Sequence, residues 1–514
     1  MFRLIRNLLR LLVIARTLAR HNAIPEAFSD IAPGFTFLWR VVARKNVHGR
    51  EGQRLAAALA ELGPTFIKLG QMLSTRSDVV GERMAADLAE LQDKLPPFPG
   101  AQARAIVEAE LEQPIAALFA SFDEVPVAAA SIAQVHFAVT TEGEPVAVKV
   151  LRPNIERAFE RDIDLFFWLA EWAQRVLPKL KRLKPVEVVD TFARTSRLEM
   201  DLRMEAAAAS ELRDNFAGDQ TFLIPKVNWD RTAQRVLTLQ RIVGFKVDEV
   251  EKIIAAGYDR DEILAKASAS FFNQVFRDGF FHADLHPGNL FVIEDGNIAA
   301  VDFGIMGRLD RATRTYLADM LIGFLTGDYR RVAMVHFQAG YVPAHQSIEL
   351  FTQACRAIGE PLQDKPLNEI SVGRLLAQLF AVTEQFDMET QPQLLLLQKS
   401  MLTAEGVGRI LNPSINMWEL ARPLIEDWMR ENRGPEAQIL DAGEAAVRTI
   451  RRLPMLVRDA ERVATQIADA GLRLHPQTTR HLIESWNRRR TSDRVALWAI
   501  VALLAFLAVE LARL

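Results

Sequence analysis

Apolar and polar positions recur at different periods along this chain, and the changes of period mark its parts. In Met1–Arg20 the residues Arg3, Arg6, Arg10, Arg16 and Arg20 stand among Leu, Ile, Val and Phe. At helical spacing these arginines fall in a sector of about 140° opposite an apolar face, which predicts a basic amphipathic helix. From Phe28 to about Pro97 apolar residues keep three- and four-residue spacing, so helices are expected up to the breaker run Leu95-Pro96-Pro97-Phe98-Pro99-Gly100. After a short helix from Ala101 to about Glu112 the period falls to two. Gln134–Val139 and Pro145–Leu151 alternate on either side of Thr140–Glu144, a hairpin signal. Helices are expected over Asp162–Gln174 and Glu187–Phe216, and a second strand pair across Phe222–Leu239 with Asp230 and Arg231 in its turn. Beyond Asp259 helical spacing dominates, interrupted once where Leu290–Ile293 and Ile298–Val301 enclose Asp295-Gly296, a tight-turn dipeptide.

The two ends ask for a different environment from the middle. Val495–Val509 is an unbroken apolar run, and only Glu510 and Arg513 are charged from there to Leu514. The run alone would span about 22 Å as a helix, short of a hydrocarbon core of about 30 Å. Extended to Leu514 it suffices if Glu510 and Arg513 snorkel to the far interface. Arg488, Arg489, Arg490 and Arg494 precede it, which places that side in the cytoplasm. A buried C-terminal helix is the alternative, disfavoured by the lack of a polar face, and a hairpin that turns back stays open. A signal peptide keeps its charge before the apolar core, so the N-terminal pattern argues against secretion. An interfacial membrane helix and a helix docked on the body with its arginines solvated both fit it.

Composition refines this picture. The 514 residues are 49% hydrophobic and 25% charged, which describes a folded protein. With 62 Lys+Arg against 65 Asp+Glu the net charge is −3, and no nucleic-acid partner is expected. The charge is uneven: residues 1–50 hold nine Lys/Arg and two acids (+7), and residues 451–494 hold ten Arg and five acids (+5). Basic ends beside apolar runs suit anionic lipid. The single cysteine, Cys355, excludes a disulfide framework and a Cys-rich zinc site, and suggests a reducing compartment.

The embedded hairpin carries the chemistry. It follows His282-Ala283-Asp284-Leu285-His286-Pro287-Gly288-Asn289 and leads into Asp302-Phe303-Gly304. Asp284 and Asn289 have the spacing of the kinase catalytic loop, and the hairpin lets Asp302 return to face Asn289. One amide and one carboxylate suit Mg²⁺ carrying the phosphates of ATP, and Asp284 is placed to accept a proton or orient a nucleophile. Upstream, Val146-Ala147-Val148-Lys149 resembles the kinase strand whose lysine contacts the α/β-phosphates. His282 and His286 invite a metal reading, but a Pro-Gly loop is not helical and the Glu of a zincin is missing. The usual glycine-rich loop is absent. Val127, Ala128, Ala129, Ala130, Ser131, Ile132, Ala133, Gln134 and Val135 stand in its place and are expected to cover the nucleotide, with an alanine-rich helix start as the alternative. The expected fold is therefore α+β: an atypical protein-kinase-like bilobal fold with an N-terminal helical extension and a C-terminal transmembrane segment. Its expected parts are a basic helix (1–27), a helical extension (28–100), an N-lobe with inserted helices (101–243), a helical C-lobe (244–450), a basic juxtamembrane helix (451–494) and a membrane anchor (495–514).

Further motifs make the whole resemble the UbiB family of atypical kinases (the ADCK/COQ type). Its lysine-x-glycine-glutamine motif stands here as Lys68-Leu69-Gly70-Gln71, followed by Ser74, Arg76 and Asp78, and its glutamate-x-aspartate motif as Glu199-Met200-Asp201. Glu205 looks like the family's partner for Lys149. The resemblance runs from about Phe37 to Gly307. It implies that Lys68 and Gln71 lie over the nucleotide cleft, with Lys68 pairing with Glu199 or Asp201; a surface helix with a solvated lysine is the plainer alternative. It further implies support of ubiquinone biosynthesis at a bacterial inner membrane, the kinase-like body on the cytoplasmic side. Membrane lipids and quinone precursors would then be partners, with other proteins of ubiquinone biosynthesis. No Ala-Pro-Glu follows Asp302, which favours ATP hydrolysis or phosphorylation of a small lipid-like molecule over peptide phosphorylation. A nucleotide-switched scaffold without turnover and an aminoglycoside- or choline-type phosphotransferase are the competing classes. The latter offers no reason for Lys68-Leu69-Gly70-Gln71. No flavin fingerprint, haem ligand pattern or iron triad supports a hydroxylase. Residues 310–450 suggest a helical body without assignable chemistry.

Overall fold

The structure is a computed structural model. It describes residues 2–23, 48–74, 80–89, 91, 95–176, 185–363, 382, 385–388, 391–413 and 417–433. Residues up to Trp428 form one unit; of a second, Met429–Leu514, only 429–433 are described. The expected anchor (495–514), the basic segment before it (451–494) and residues 434–450 lie outside the described residues. Among the described residues no helix is long and apolar enough to cross a membrane.

Among the described residues the N-terminal extension holds the helices α1 (Phe2–His21), α2 (Glu51–Leu62), α3 (Pro64–Ser74) and α4 (Glu82–Ala89). Gly63, at φ +107°, ends α2, and Pro64 opens α3 one residue later. A left-handed glycine and a first-turn proline make this the shortest of junctions. A Cβ on Gly70 would lie 2.8 Å from a Leu59 methyl and 2.9 Å from one of Leu91. The motif glycine is therefore where α3 meets its neighbours most closely.

Helix α1 corrects one expectation. It docks on the body, but its basic side is not simply solvated. Arg10 points inward, donating to Asp162 at 2.9 Å and to the Leu62 carbonyl at 3.2 Å, with Asn7 and Thr17 buried beside it. Leu8, Leu9, Leu12 and Val13 are exposed, as are Arg6, Arg16 and Arg20. The nearly buried Asp162 carboxylate draws Arg10 inward, and Arg161 meets the same carboxylate at 3.2 Å.

After α5 (Gly100–Leu111) comes the N-lobe sheet: β1 (Phe119–Phe122), β2 (Ala128–Ala129), β3 (Ala133–Thr140), β4 (Pro145–Leu151) and β6 (Val236–Gln240). The order is β1-β3-β4-β6, all antiparallel, with β2 also on β3. Along β4, Val146, Val148 and Val150 face the core against Ala103, Ile106 and Val107 of α5. The period of two therefore turns Ala147 and Lys149 to the other face, toward the cleft. Between β4 and β6 lie α6 (Ile155–Val176), α7 (Pro185–Glu199) and α8 (Leu202–Asn215). The single helix expected over Glu187–Phe216 is thus two. Asp201 caps α8 by accepting the Arg203 N–H at 3.2 Å, and a cap with extended backbone interrupts the helix.

The expected pairing across Phe222–Leu239 forms only in part: Val227 bridges Leu239 antiparallel around a turn at Trp229–Arg231, while the first residues go elsewhere. Strand β5 (Phe222–Leu223) runs parallel beside β10 (Ile298–Ala300) in a second sheet of order β5-β10-β9-β7, where β7 is Phe245–Lys246 and β9 is Leu290–Val292. Phe222 is drawn there by an edge-on contact with Phe216 at 5.0 Å, while β6 completes the N-lobe sheet. The β9–β10 hairpin forms as its Asp-Gly predicts, with Asp295 at φ +59° and Gly296 at φ +64°. Strands β8 (Phe280–His282) and β11 (Met306–Arg308) form a two-stranded ladder on either side of the candidate chemistry. Helices α9 (Arg260–Phe272), α10 (Arg311–Leu325), α11 (Tyr329–Gln338), α12 (Ile348–Gln363), α13 (Pro392–Leu411) and α14 (Met417–Arg433) build the rest.

The ladder gives a test of packing. A Cβ on Gly307 would lie 2.1 Å from the ring of Phe281, which is fully buried, so Gly307→Ala forces an aromatic ring or a strand to move. A Cβ on Gly406, within α13, meets nothing within 4 Å. Gly307→Ala should lower stability by about 1–3 kcal/mol, and Gly406→Ala should raise it by about 0.5–1 kcal/mol. Unfolding curves in urea for both variants check the pair of signs.

Candidate active site

The cleft face of β4 presents Lys149 to two carboxylates. Its Nζ donates to Glu205 Oε1 at 2.8 Å and Oε2 at 2.9 Å, and to Asp302 Oδ1 at 3.0 Å. Glu205 comes from the first turn of α8, and the Phe303 backbone N–H also donates to it. One ammonium thus ties the N-lobe sheet, the inserted helices and the segment after β10. This reproduces the strand-lysine, helix-glutamate and metal-aspartate arrangement of a kinase.

Charge within this triad is strongly coupled. Burial works against the Lys149 ammonium, but the charges of Asp302 and Glu205 outweigh it and hold its pKa above the ordinary lysine value. Burial likewise works against the Asp302 carboxylate. Lys149 outweighs it, with help from Lys68, and the Asp302 carboxyl is held well below its usual range. Burial pushes Glu205 up while Lys149 pulls it down. Glu205 is almost enclosed, with 7% of its side chain exposed, whereas Asp302 is 47% exposed and open to the cleft. Asp302 also sits at φ +64°, a left-handed conformation that costs a non-glycine residue roughly 1–2 kcal/mol. Backbone strain at a residue so placed is typical of functional sites.

The loop between β8 and β9 holds the second half of the site. His282 is buried, and both ring nitrogens are used: Nε2 donates to the Val301 carbonyl at 3.2 Å, and Nδ1 accepts the Asp284 N–H at 3.1 Å. Burial lowers its pKa, so it is a neutral brace for the loop, and its edge-on contact with Phe303 at 5.6 Å braces the other side. His286 Nδ1 accepts the Gly288 N–H at 2.8 Å. Both His282 nitrogens are taken by backbone groups, as is Nδ1 of His286. Asn289 Nδ2 donates to the Asp284 carbonyl at 3.0 Å, which turns its amide oxygen away from the loop backbone. The Val301 N–H donates to the Asn289 carbonyl at 2.9 Å, bringing Asp302 beside Asn289.

These residues fit Mg²⁺ and a nucleotide. The triad of one ammonium and two carboxylates leaves an excess negative charge. Among the described residues no cluster of three or more His, Cys, Asp or Glu could hold a metal. Asn289 and Asp302 would therefore be the protein's share of an oxygen-ligand set otherwise made by phosphates and water, which is how Mg²⁺ is usually bound.

The remaining expected residues divide. Lys68 pairs with Glu199 Oε2 at 2.8 Å, both mostly enclosed, and Lys68 lies close enough to lower the Asp302 pKa. Gln71, one turn further along α3, is half-buried. Asp201 does not join them: it is used as the α8 cap and pairs with Arg203 at 2.7 Å, whose hydrogen bonds lower its pKa. In the alanine-rich stretch the alternative of a helix start is ruled out, since Ala128–Ala129 pair with β3. Val127, Ala128, Ala129, Ala130 and Val135 keep accessible surface. Ser131, Ile132, Ala133 and Gln134 are buried. Gln134 exchanges hydrogen bonds with the Phe98 backbone at 3.0 and 3.1 Å, so its amide belongs to the core and not to a nucleotide. Arg152 fixes the turn by donating to the Ala130 carbonyl at 2.7 Å.

One residue escaped the sequence. Lys399 of α13 donates from Nζ to Asp284 Oδ1 at 3.0 Å, across 115 positions of chain. No local signal marks it, since a lysine in a helix is ordinarily a solvated one.

Comparisons with known proteins give the family. Residues 90–336 match the ABC1 atypical kinase-like domain and residues 355–416 the UbiB helical domain. The curated "Probable protein kinase UbiB" of Marinobacter nauticus is 44% identical over 416 residues, covering 80% of this chain and 76% of that protein. The protein of the same name from Pseudomonas aeruginosa is 44% identical over 430 residues, 83% and 80% of the two chains. A solved structure, of an Rv3197–erythromycin complex from Mycobacterium tuberculosis, is 26% identical with a TM-score of 0.47, covering 72% of this chain and 94% of that one. By its two domains and by identity over most of its length, the chain belongs to the UbiB family of atypical kinase-like proteins.

Proposed function

We propose that the chain binds Mg-ATP in this cleft and transfers the γ-phosphoryl group to water or to a small, lipid-like acceptor, in support of ubiquinone biosynthesis. The observation that carries the reading is Lys149, shared between Glu205 and Asp302 opposite the loop that holds Asp284. Lys149 binds the α/β-phosphates and Glu205 keeps it aimed. Asn289 and Asp302 hold Mg²⁺, which neutralises charge on the phosphates when bound. Asp284 accepts the hydrogen of the attacking oxygen. Catalysis of this kind rests on positioning and on fixed charge more than on covalent chemistry. Val127–Ala130 and Val135 line the nucleotide side, while Lys68 and Gln71 approach from the extension. The Lys68–Glu199 pair beside Asp302 favours a small acceptor over a peptide, because α3 occupies space near the cleft that a polypeptide would need.

The same reading places the body at the cytoplasmic face of an inner membrane, with lipids, quinone precursors and other proteins of ubiquinone biosynthesis as partners. Its support is the outward face of α1. Leu8, Leu9, Leu12 and Val13 are exposed on it, and Arg16 and Arg20 line a cleft beside Glu61 and Leu62. An apolar stripe next to arginines suits an interface of acyl chains and anionic headgroups.

Two measurements test this. Asp302→Asn should abolish the rise in melting temperature that Mg-ATP gives the purified protein. Asp284→Asn should keep that rise and lose roughly 10²–10⁴-fold in turnover. Normal hydrolysis by both variants would sink the assignment. For the membrane, Leu9→Glu with Leu12→Glu should release the protein from anionic vesicles in a flotation assay, and unchanged flotation of these variants would count against α1 as the contact.

A further inference from the structure

The helical segment beyond the kinase-like lobes reaches back into the site. We infer that Lys399 is a positioning residue for phosphoryl transfer: it fixes one oxygen of Asp284 and supplies the positive charge that the catalytic loop itself lacks. The inference rests on the function proposed above.

The loop His282–Asn289 contains no lysine or arginine. His282 is neutral, with both nitrogens engaged, and His286 uses Nδ1 as an acceptor. Lys149 is committed to Glu205 and Asp302, and Lys68 to Glu199. The cation given to Asp284 is Lys399, at 3.0 Å from Oδ1. Its helix packs against α9 and the turn that follows it. Leu397 and Met401 are buried beside Phe271, Phe272 and Phe276, and Ser400 is fully buried with its Oγ donating to the Leu396 carbonyl at 2.9 Å. A lysine on such an anchored turn presents its ammonium from a fixed origin. Both partners are about one-third exposed, 35% and 36%, so the pair contributes at most about 1 kcal/mol to folding. Its value lies in what it does to Asp284.

In the reaction, the acceptor oxygen forms a bond to the γ-phosphorus. The bond from that phosphorus to the bridging oxygen breaks, and its electron pair leaves with ADP. The proton of the acceptor passes to Asp284 Oδ2. With Oδ1 held by Lys399, the carboxylate cannot rotate away, and Oδ2 stays available. Without Lys399 the carboxylate is free to turn, and a displacement of about 1 Å in such a group can cost 10²-fold. Nucleotide binding, which uses other residues, is unaffected.

The experiment uses the full chain and steady-state Mg-ATP hydrolysis, with melting temperature in AMP-PNP and Mg²⁺ as the binding readout. Lys399→Met should lower kcat roughly 10–100-fold, with KM for ATP and the AMP-PNP shift held within about twofold. Lys399→Arg should recover most of the rate, and Lys399→Gln should behave as Met does, which guards against a packing effect of one variant. Because the lysine acts through Asp284, the double variant Asp284→Asn/Lys399→Met should be no slower than Asp284→Asn alone. A kcat for Lys399→Met equal to or above that of the unaltered chain overturns the inference, as does additivity in the double variant or an Arg variant as slow as Met. If the unaltered chain does not hydrolyse Mg-ATP, or Asp284→Asn hydrolyses it at full rate, the proposed function fails instead, and the role of Lys399 with it.

Discussion

The site depends on one ammonium answering two carboxylates. Lys149 is reached from a central strand, Glu205 from an inserted helix and Asp302 from the segment after the second hairpin. Enclosing Lys149 and Glu205 is costly, and removing Lys149 would leave the Glu205 carboxylate buried without a counter-charge, a loss of about 3–5 kcal/mol. Asp302, 47% exposed, contributes less. The triad therefore does structural work before any chemistry: it decides how the N-lobe sheet and the segment after β10 face each other. Its net negative charge is what the proposed Mg²⁺ would answer. One arrangement both sets the geometry of the cleft and gives the proposed ligand its charge complement.

That such a site could be read from sequence follows from how local its determinants are. The alternation of Val146, Val148 and Val150 with Ala147 and Lys149 fixes which face of the strand the lysine takes, because one face must be buried against α5. Asp295-Gly296 adopts positive φ at both positions, as a tight turn requires, and Lys266 of α9 then caps its two carbonyls at 3.1 and 3.3 Å. The interval from Asp284 to Asn289 is a loop length, set by the chain itself. What the sequence could not carry are choices made by distant partners. Met200-Asp201 splits a helix because Asp201 finds a better use as a cap than as a site residue. Phe222 leaves its expected partner for Phe216 and β10. Gln134 turns from nucleotide to core because the backbone of Phe98, at the far end of the proline-rich linker, needs a donor and an acceptor.

Helix α1 shows the same competition in electrostatic form. Periodicity places its arginines on one side and its leucines on the other, and ordinary burial would hide the leucines. Asp162 is only 3% exposed and is met by two guanidiniums, Arg161 beside it and Arg10 from α1. Arg10 is turned inward to it, and Leu8, Leu9, Leu12 and Val13 face out. An exposed apolar stripe thus accompanies a buried ion pair, and it is also what an interfacial role requires.

The kinase-like core and its additions share a single device. Each contributes a lysine that meets a carboxylate at or near the cleft: Lys149 from the N-lobe meets Glu205 and Asp302, Lys68 from the extension meets Glu199, and Lys399 from the helical segment meets Asp284. Carboxylates crowded into one cleft repel one another, and without cations they would splay or take up protons. Drawing the cations from three separate parts of the chain makes the site complete only when all three are docked. The matched family domain ends at residue 336, and Lys399 lies in the second matched domain, 355–416. The kinase-like lobes alone would therefore hold Asp284 without its partner, which gives the helical domain a reason to accompany them that neither packing nor membrane attachment supplies.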